Sequence, residues 1–200
     1  MSENFLEINN GNFVASEKNK VNNVNLIIKN QGEIVSLLGP SGIGKTTILR
    51  TLAGLQKLSS GNIRLKGRLI SSEAIHIEPE KRNIALSFQD NSLFPNYKVI
   101  DNINFGKKRA NGNGSQIKTD EIINILHIEP ILEKFPHQIS AGEAQRVSLA
   151  RSIISKPDLL LLDEPFSNID QSLKDEIQVS VKKLLKRINL TTIIVTHDSY

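Results

Sequence analysis

Apolar strands alternating with amphipathic helices predict an α/β fold built on a largely parallel sheet. Leu159–Leu162 is a continuous apolar run bounded by Pro157 and Pro165, the mark of a strand buried on both faces. Thr191–Thr196 is a second such strand, and it follows a long amphipathic helix at Leu173–Ile188. Glu33–Leu38 is a third, running through a glycine-rich turn into Lys45–Leu55, where Ile48, Leu49, Leu52 and Leu55 share one helical face.

The other elements complete this frame. Phe5–Ile8 and Val24–Ile28 alternate in polarity, which predicts an N-terminal antiparallel β region. Gly61–Leu65 and Ile84–Phe88 are short strands. From about Asp90 the character becomes helical, with helices expected at Val99–Phe105, Thr119–His127 and Gly142–Ser155. The stretch GKKRANGNGS, residues 106–115, is expected to be an exposed linker between the first two. The expected organisation is a single domain over 1–200, with a core of about 1–90 and 157–200 and an inserted helical subdomain of about 91–156. No internal repeat occurs at a period of 20–50 residues.

Composition narrows the function classes. Hydrophobic residues make up 38% and charged residues 23% of the 200, enough for a sizeable core in an ordinary globular chain. The net charge of +4 comes without a dense Lys/Arg block, which fits a solvated lysine-rich surface and not a nucleic-acid footprint. The absence of cysteine excludes a disulfide framework and a thiolate metal site. The start, MSENFLEINN, has neither a basic region nor an apolar stretch, so no secretory signal is expected. No apolar run approaches the roughly 20 residues of a membrane span, so a soluble, intracellular chain is expected. If it serves a membrane, another chain crosses it.

The first chemistry lies in GPSGIGKT, residues Gly39, Pro40, Ser41, Gly42, Ile43, Gly44, Lys45 and Thr46, followed by Thr47. It matches G-x-x-x-x-G-K-[ST], with a strand before it and a helix after it, as in P-loop NTPases. The glycines let backbone N–H groups curl around phosphates, and the helix that opens near Gly44 presents its positive end to the anion. Lys45 supplies a point charge to the β- and γ-phosphates, and the Thr46 hydroxyl is suited to ligate Mg²⁺. A nucleoside triphosphate site follows.

LLLLDEP then sets Asp163 and Glu164 at the carboxyl end of a buried strand, where open α/β sheets bind ligands. Asp163 is placed to hold Mg²⁺, directly or through water, and Glu164 to orient and deprotonate an attacking water. His197, in TIIVTHD, ends another strand at the same sheet edge. A lone histidine there is either structural or a contact to the γ-phosphate.

The order of motifs resembles the ATP-binding-cassette (ABC) family over almost the whole chain, from about Phe5 to Asp198. Gln89 in SFQDNSLFP matches the Q-loop glutamine, which the resemblance implies contacts Mg²⁺ and the attacking water. ISAGEAQRVSLARSI, residues 139–153, resembles the family signature, PFSNID the D-loop, and His197 the switch histidine. The family implies a head-to-tail dimer of two cassettes, with Ser140, Ala141, Gly142 and Glu143 of one subunit facing the γ-phosphate of ATP bound by the other. Ala141 replaces a signature glycine and Glu143 a glutamine, departures expected to weaken that sandwich. The family also stacks an aromatic on adenine. Phe13 is the candidate, and a strand core residue is the equal alternative. Members generally continue with strand and helix beyond the switch histidine, whereas this chain stops at Tyr200, which points to a short subunit or a fragment.

EPEKRNIALSFQDNSLFPNYKVIDNINFG and LLLLDEPFSNID look like the branch serving uptake of iron(III), polyamines, thiamine and similar solutes. The Gln-Asp…Leu-Phe-Pro stretch leans towards iron(III). The expected function is an importer's ATPase subunit using ATP and Mg²⁺. It would lie peripherally on the cytoplasmic face of the membrane, and transmembrane permease subunits would read the surface around Gln89–Tyr97. Two alternatives stand beside it: a soluble ABC ATPase acting on DNA or ribosomes, and a nucleotide-binding module with weakened catalysis. No nucleic-acid partner is expected.

Overall fold

The computed structural model describes residues 3–14, 20–88, 93–109 and 117–196. Among these, strands β1 (Leu6–Val14), β2 (Lys20–Ile28), β4 (Ser60–Leu65) and β5 (Arg68–Ser72) form an antiparallel sheet in the order β2-β1-β4-β5. Strands β3 (Ile34–Leu37), β6 (Ile84–Ser87), β7 (Leu159–Asp163) and β8 (Thr191–Val195) form a parallel sheet in the order β3-β8-β7-β6. The helices are α1 (Lys45–Leu52), α2 (Val99–Arg109), α3 (Thr119–Ile125), α4 (Ala141–Ile154) and α5 (Gln171–Arg187).

Strand β7 is buried along its whole length, and its period of two feeds two cores. Leu159 and Leu161 join Ile193 and Val195 of β8 against α1 and the antiparallel sheet. Leu160, Leu162 and Ile194 turn the other way, into a core made with the apolar faces of α2, α3, α4 and α5. A strand with apolar neighbours on both faces has no polar side to alternate with, and this is why LLLL is legible as a central parallel strand. Strand β3 is only half-buried, because it lies at the sheet's edge among the described residues.

Several elements differ from the expected ones: β1 and β2 are longer, α1 and α3 are shorter, and three further differences have clear causes. The β4–β5 hairpin carries a strand, β5, that sequence pattern does not reveal. Its turn is Lys66-Gly67, both with positive φ (50° and 73°), a two-residue turn without the Asn-Gly signal that normally marks one. Helix α2 runs to Arg109, so Gly106 to Arg109 belong to the helix and not to the linker. Glycine here serves close packing: a Cβ at 106 would stand 2.3 Å from the Arg151 carbonyl of α4. Helix α5 begins two residues before its first expected position, at Gln171.

A buried cation fixes the far end of α1. Arg82 is almost wholly buried, and its Nε donates to the Ile77 carbonyl at 2.5 Å. Nη1 donates to the carbonyls of Thr51 and Leu52, each at 2.9 Å, and Nη2 to the Ser71 hydroxyl at 2.9 Å. Thr51 and Leu52 end α1, so the guanidinium satisfies terminal carbonyls and meets the negative end of the helix dipole. Burial lowers its pKa to about 10, against the opposing pull of Glu78, so it remains charged at neutral pH. Arg82→Ala leaves several buried carbonyls without donors and is expected to destabilise the fold by about 3 kcal/mol or more, measured by urea unfolding. Arg82→Lys should recover only a small part of that loss, because one ammonium cannot span the diverging acceptors of the planar fork.

Candidate functional site

The motifs gather at the carboxyl edge of the parallel sheet, because parallel strands all deliver their following residues to the same side. Strand β3 leads into the glycine loop and α1. Strand β7 ends on Asp163 and Glu164, and β8 leads to Thr196. Gln89 follows shortly after β6 and His197 shortly after β8, and both lie outside the described residues.

The glycine loop has the backbone its sequence demands. Gly44 is the residue before α1, with φ 99°, and a Cβ there would lie 2.2 Å from Cγ2 of Val21. Both the left-handed backbone and the close approach of β2 require glycine. Gly42, with φ 80°, faces open space, where a Cβ would meet nothing within 4 Å. The Lys45 side chain folds back over the loop, its ammonium donating to the carbonyls of Gly39 and of Pro40, the latter at 2.8 Å. Of the two threonines, Thr47 is buried beneath α1, while the Thr46 side chain is exposed and its hydroxyl acts on the Asp163 carboxyl. Ser41 and Ile43 lie on the exposed rim of the loop.

Asp163 is buried, and burial raises its pKa. The Thr46 hydrogen bond opposes the rise, the Glu164 charge adds to it, and Arg50 and Lys45 oppose it. Lys45, Thr46, Asp163 and Glu164 are therefore one electrostatic unit. Its donor set is chemically suited to Mg²⁺, a hard cation that takes a hydroxyl and one or two carboxylates and completes its shell with water and phosphate oxygens. Among the described residues no cluster of three or more His, Cys, Asp or Glu stands ready to hold a metal ion.

Glu164 has φ 48°, a left-handed conformation that costs a non-glycine residue about 1–2 kcal/mol. Two backbone bonds hold it. Its N–H donates to the Val195 carbonyl at 2.9 Å, and its carbonyl accepts from Gln145 Nε2 at 2.8 Å. Gln145 lies within the signature stretch, residues 139–153, but sequence reasoning gives it no role. Its signal is a carboxamide within AQRVSLA, where α4 is otherwise buried in the core.

Ser140 caps α4. Its hydroxyl accepts from the Glu143 N–H at 3.2 Å, while Glu143 Oε2 accepts from the Ser140 N–H at 2.7 Å, a reciprocal capping box. The Ser140 backbone bond holds the Glu143 carboxyl below its usual range. Gly142 is required by packing inside the chain, since a Cβ would stand 2.4 Å from the Asn168 carbonyl. Ala141 is the first residue of α4. Ser140, Ala141, Gly142 and Glu143 thus border the turn after Glu164 and not the glycine loop. Of the two readings of Phe13, burial supports the strand core residue: it is fully buried with Ile8, Ile63 and their neighbours in the antiparallel sheet's core, so its ring has no face open to an adenine.

The sign of the Asp163 shift yields a pH prediction. A folded-state pKa above the unfolded value means that the ionised form opposes folding, so stability falls as pH rises through the folded pKa. Asp163→Asn, which keeps an acceptor for Thr46, is therefore expected to stabilise the chain at pH 7 without added nucleotide. A relief of about 1 kcal/mol raises the melting midpoint of a chain this size by about 2–4 °C. The gain should vanish as pH falls below the ordinary carboxylate range, where the residue is protonated in both the folded and the unfolded chain, and thermal melts across pH measure it.

Comparison with known proteins agrees with this geometry. The family model described as ABC transporter matches residues 21–167. The Fe(3+) ions import ATP-binding protein FbpC of Fusobacterium nucleatum is 39% identical over 180 residues, covering 89% of this chain and 47% of that protein. The maltose/maltodextrin import ATP-binding protein MalK of Aliivibrio fischeri is 40% identical over 178 residues, covering 88% of this chain and 46% of that protein. The chain thus spans about half the length of these curated relatives. Among solved structures, the dimeric post-hydrolysis state of the ATP-binding cassette MJ0796, bound to ADP and Pi, superposes with a TM-score of 0.80 at 26% identity, covering 96% of this chain and 88% of that one. A glycine loop, the pair Asp163–Glu164 after a buried strand and a capped signature helix, together with a family match over most of the chain, show that it belongs to the ABC transporter family.

Proposed function

We propose that this chain binds and hydrolyses Mg-ATP as the ATP-binding part of an ABC importer. The observation that carries it is the convergence of Lys45, Thr46, Asp163 and Glu164 at one sheet edge, close enough for Thr46, Glu164 and Lys45 all to act on the Asp163 carboxyl. Lys45 leaves the Gly39 and Pro40 carbonyls to meet the β- and γ-phosphates, and the N–H groups of the Gly39–Thr47 loop and α1 cradle them. Thr46, Asp163 and Gln89 hold Mg²⁺, which supplies neutralisation of the charge developing on the phosphate oxygens. Glu164 orients the attacking water and accepts its proton, and His197 contacts the γ-phosphate. With little covalent chemistry left to the protein, positioning and charge supply most of the acceleration.

The reaction needs two copies head to tail. Ser140, Ala141 and Gly142 of the second copy close over the γ-phosphate, with the Glu143 carboxylate, bonded to the Ser140 N–H, beside them. The dimeric post-hydrolysis structure of the ATP-binding cassette MJ0796, bound to ADP and Pi, supports this arrangement. We read the chain as one ABC ATPase domain, with a core of about 1–90 and 157–200 and a helical subdomain of about 91–156.

Among the described residues no helix is long and apolar enough to cross a membrane. The relatives are named as ATP-binding proteins of import systems, which supports separate transmembrane subunits as partners. A groove of about 620 Å³ lined by Lys81, Phe94, Phe105, Lys108, Arg151 and Pro157 is the surface on which they dock, peripherally at the cytoplasmic face. Phe94 and Phe105 meet edge to face at 4.6 Å and give its floor an aromatic anchor. Iron(III) is the preferred solute, supported by the resemblance to the Fe(3+) import protein.

Sizing of the Glu164→Gln variant tests the proposal. Mg-ATP is expected to convert it from monomer to a dimer that persists because the water is not activated, while ADP leaves it monomeric. A variant that neither binds ATP nor dimerises would reject the assignment. Adding Ala141→Gly and Glu143→Gln should lower the ATP concentration needed for dimerisation severalfold, and an unchanged requirement would show that the altered signature does not weaken the sandwich.

A further inference from the structure

Glu164 is the proposed base, and its backbone sets the direction in which its side chain leaves the sheet edge. Its backbone is left-handed at φ 48°, and each side of that residue is tied by a main-chain hydrogen bond. The bond from the Glu164 N–H runs to Val195 at the end of β8, within the sheet. The bond to its carbonyl comes from outside the sheet, from the carboxamide of Gln145 on α4.

That carboxamide is buried, with 1% of its surface exposed, and each of its polar atoms is engaged. Nε2 donates to the Glu164 carbonyl at 2.8 Å and to the Ser167 hydroxyl at 3.2 Å. Oε1 accepts from the Asn168 N–H at 3.0 Å. Ser167 closes the same turn, its hydroxyl donating to the Glu164 carbonyl at 3.1 Å and its N–H at 3.2 Å. Both ends of the turn from Glu164 to Asn168 are thus pinned by one planar group, which uses both N–H donors and its oxygen at once. A buried amide with every atom matched to a backbone or hydroxyl partner holds one geometry and resists others.

The geometry points to Gln145 as a positioning residue that sets the direction of Glu164 and couples it to the helix carrying Ser140. Gln145 lies on α4 about one and a half turns from the capped N-terminus. Gly142, one turn earlier, is in backbone contact range of the same Asn168 carbonyl. Any movement of the α4 N-terminus towards or away from a second copy therefore carries Gln145 with it and acts on the Glu164 carbonyl. Water activation and the engagement of Ser140 are linked through this amide, inside one subunit. The inference rests on the proposed role of Glu164 in hydrolysis.

Steady-state hydrolysis and direct ATP binding by wild type, Gln145→Ala, Gln145→Glu, Glu164→Gln and the double variant Gln145→Ala/Glu164→Gln provide the test, with the intact protein. Misplacement of a reacting group by about 1 Å costs on the order of 100-fold in rate. Gln145→Ala is expected to lower kcat by about 10- to 100-fold while ATP affinity stays within about threefold, since Lys45, Thr46 and Asp163 keep their places. Gln145→Glu keeps the shape and one acceptor but loses both donors, so it should fall nearly as far, and it guards against a cavity effect in the alanine variant. The double variant should be no slower than Glu164→Gln alone, because a residue acting through Glu164 has nothing left to position. Unchanged kcat in both Gln145 variants overturns the inference, as does an additive loss in the double variant or a loss of ATP affinity and thermal stability in step with kcat. Absence of hydrolysis by the wild type, in contrast, overturns the ATPase assignment itself and this inference with it.

Discussion

The structure depends on the burial of one strand on both faces. Strand β7 separates the core shared with α1 from the core shared with α2 to α5, and its four leucines send alternate side chains to each. Full burial of a leucine contributes roughly 1.5–3 kcal/mol, so these four side chains alone rival the net stability of a domain. The same burial brings Asp163 into a weakly hydrated edge, where its pKa rises and the nearby Thr46 hydroxyl opposes the rise. Packing and chemistry therefore have one origin. A strand apolar enough to hold two cores together ends on a carboxylate that water cannot fully solvate, and such a carboxylate gains by sharing a cation with a neighbouring hydroxyl.

Polar tethers do the remaining positioning, and they are buried amides and guanidinium groups with matched partners. Arg82 holds the carboxyl end of α1, whose amino end forms the glycine loop. Asn102 is fully buried, accepts from the Phe94 N–H at 2.9 Å and donates to the carbonyls of Phe94, Tyr97 and Lys98, so it fixes the segment that borders the proposed docking groove. Gln145 does the same for the turn after Glu164. Each places a loop that has no regular hydrogen-bond ladder of its own, and each would leave several unsatisfied backbone groups if removed.

Much of this was legible in the sequence, and the parts that were not share a cause. The parallel strands, α1, the glycine loop and the pair Asp163–Glu164 were readable because their signals are local: an apolar run, a helical stripe, a motif of fixed spacing. Strand β5 was missed because its turn is Lys-Gly, and only the positive φ of Lys66 reveals it. Gly106 was assigned to a linker because a glycine among lysines resembles one, whereas its reason lies across space in the Arg151 carbonyl. Phe13 was a candidate for stacking because it is an aromatic upstream of the loop. Its burial depends on the register that pairs it with Val21 and turns its ring inward, and sequence position does not report that register. Gln145 belongs to the same class, since a carboxamide in a helix gives no local sign of which loop it will meet.

The altered signature shows how a substitution that looks adverse in sequence acquires a local reason. Placed near a polyphosphate, the charge of Glu143 is repulsive; placed at the start of α4, it closes a capping box with Ser140. A carboxylate three residues after a serine N-cap is well matched to both an orphan N–H and the positive end of the helix. The backbone bond lowers the Glu143 pKa, so the carboxylate stays charged throughout the neutral range. Its negative charge then partly offsets the helix terminus that a phosphate would otherwise meet alone. Stability of α4 and attraction for a second copy's nucleotide draw on the same N–H groups in opposite senses, and the glutamate sets that balance towards the helix.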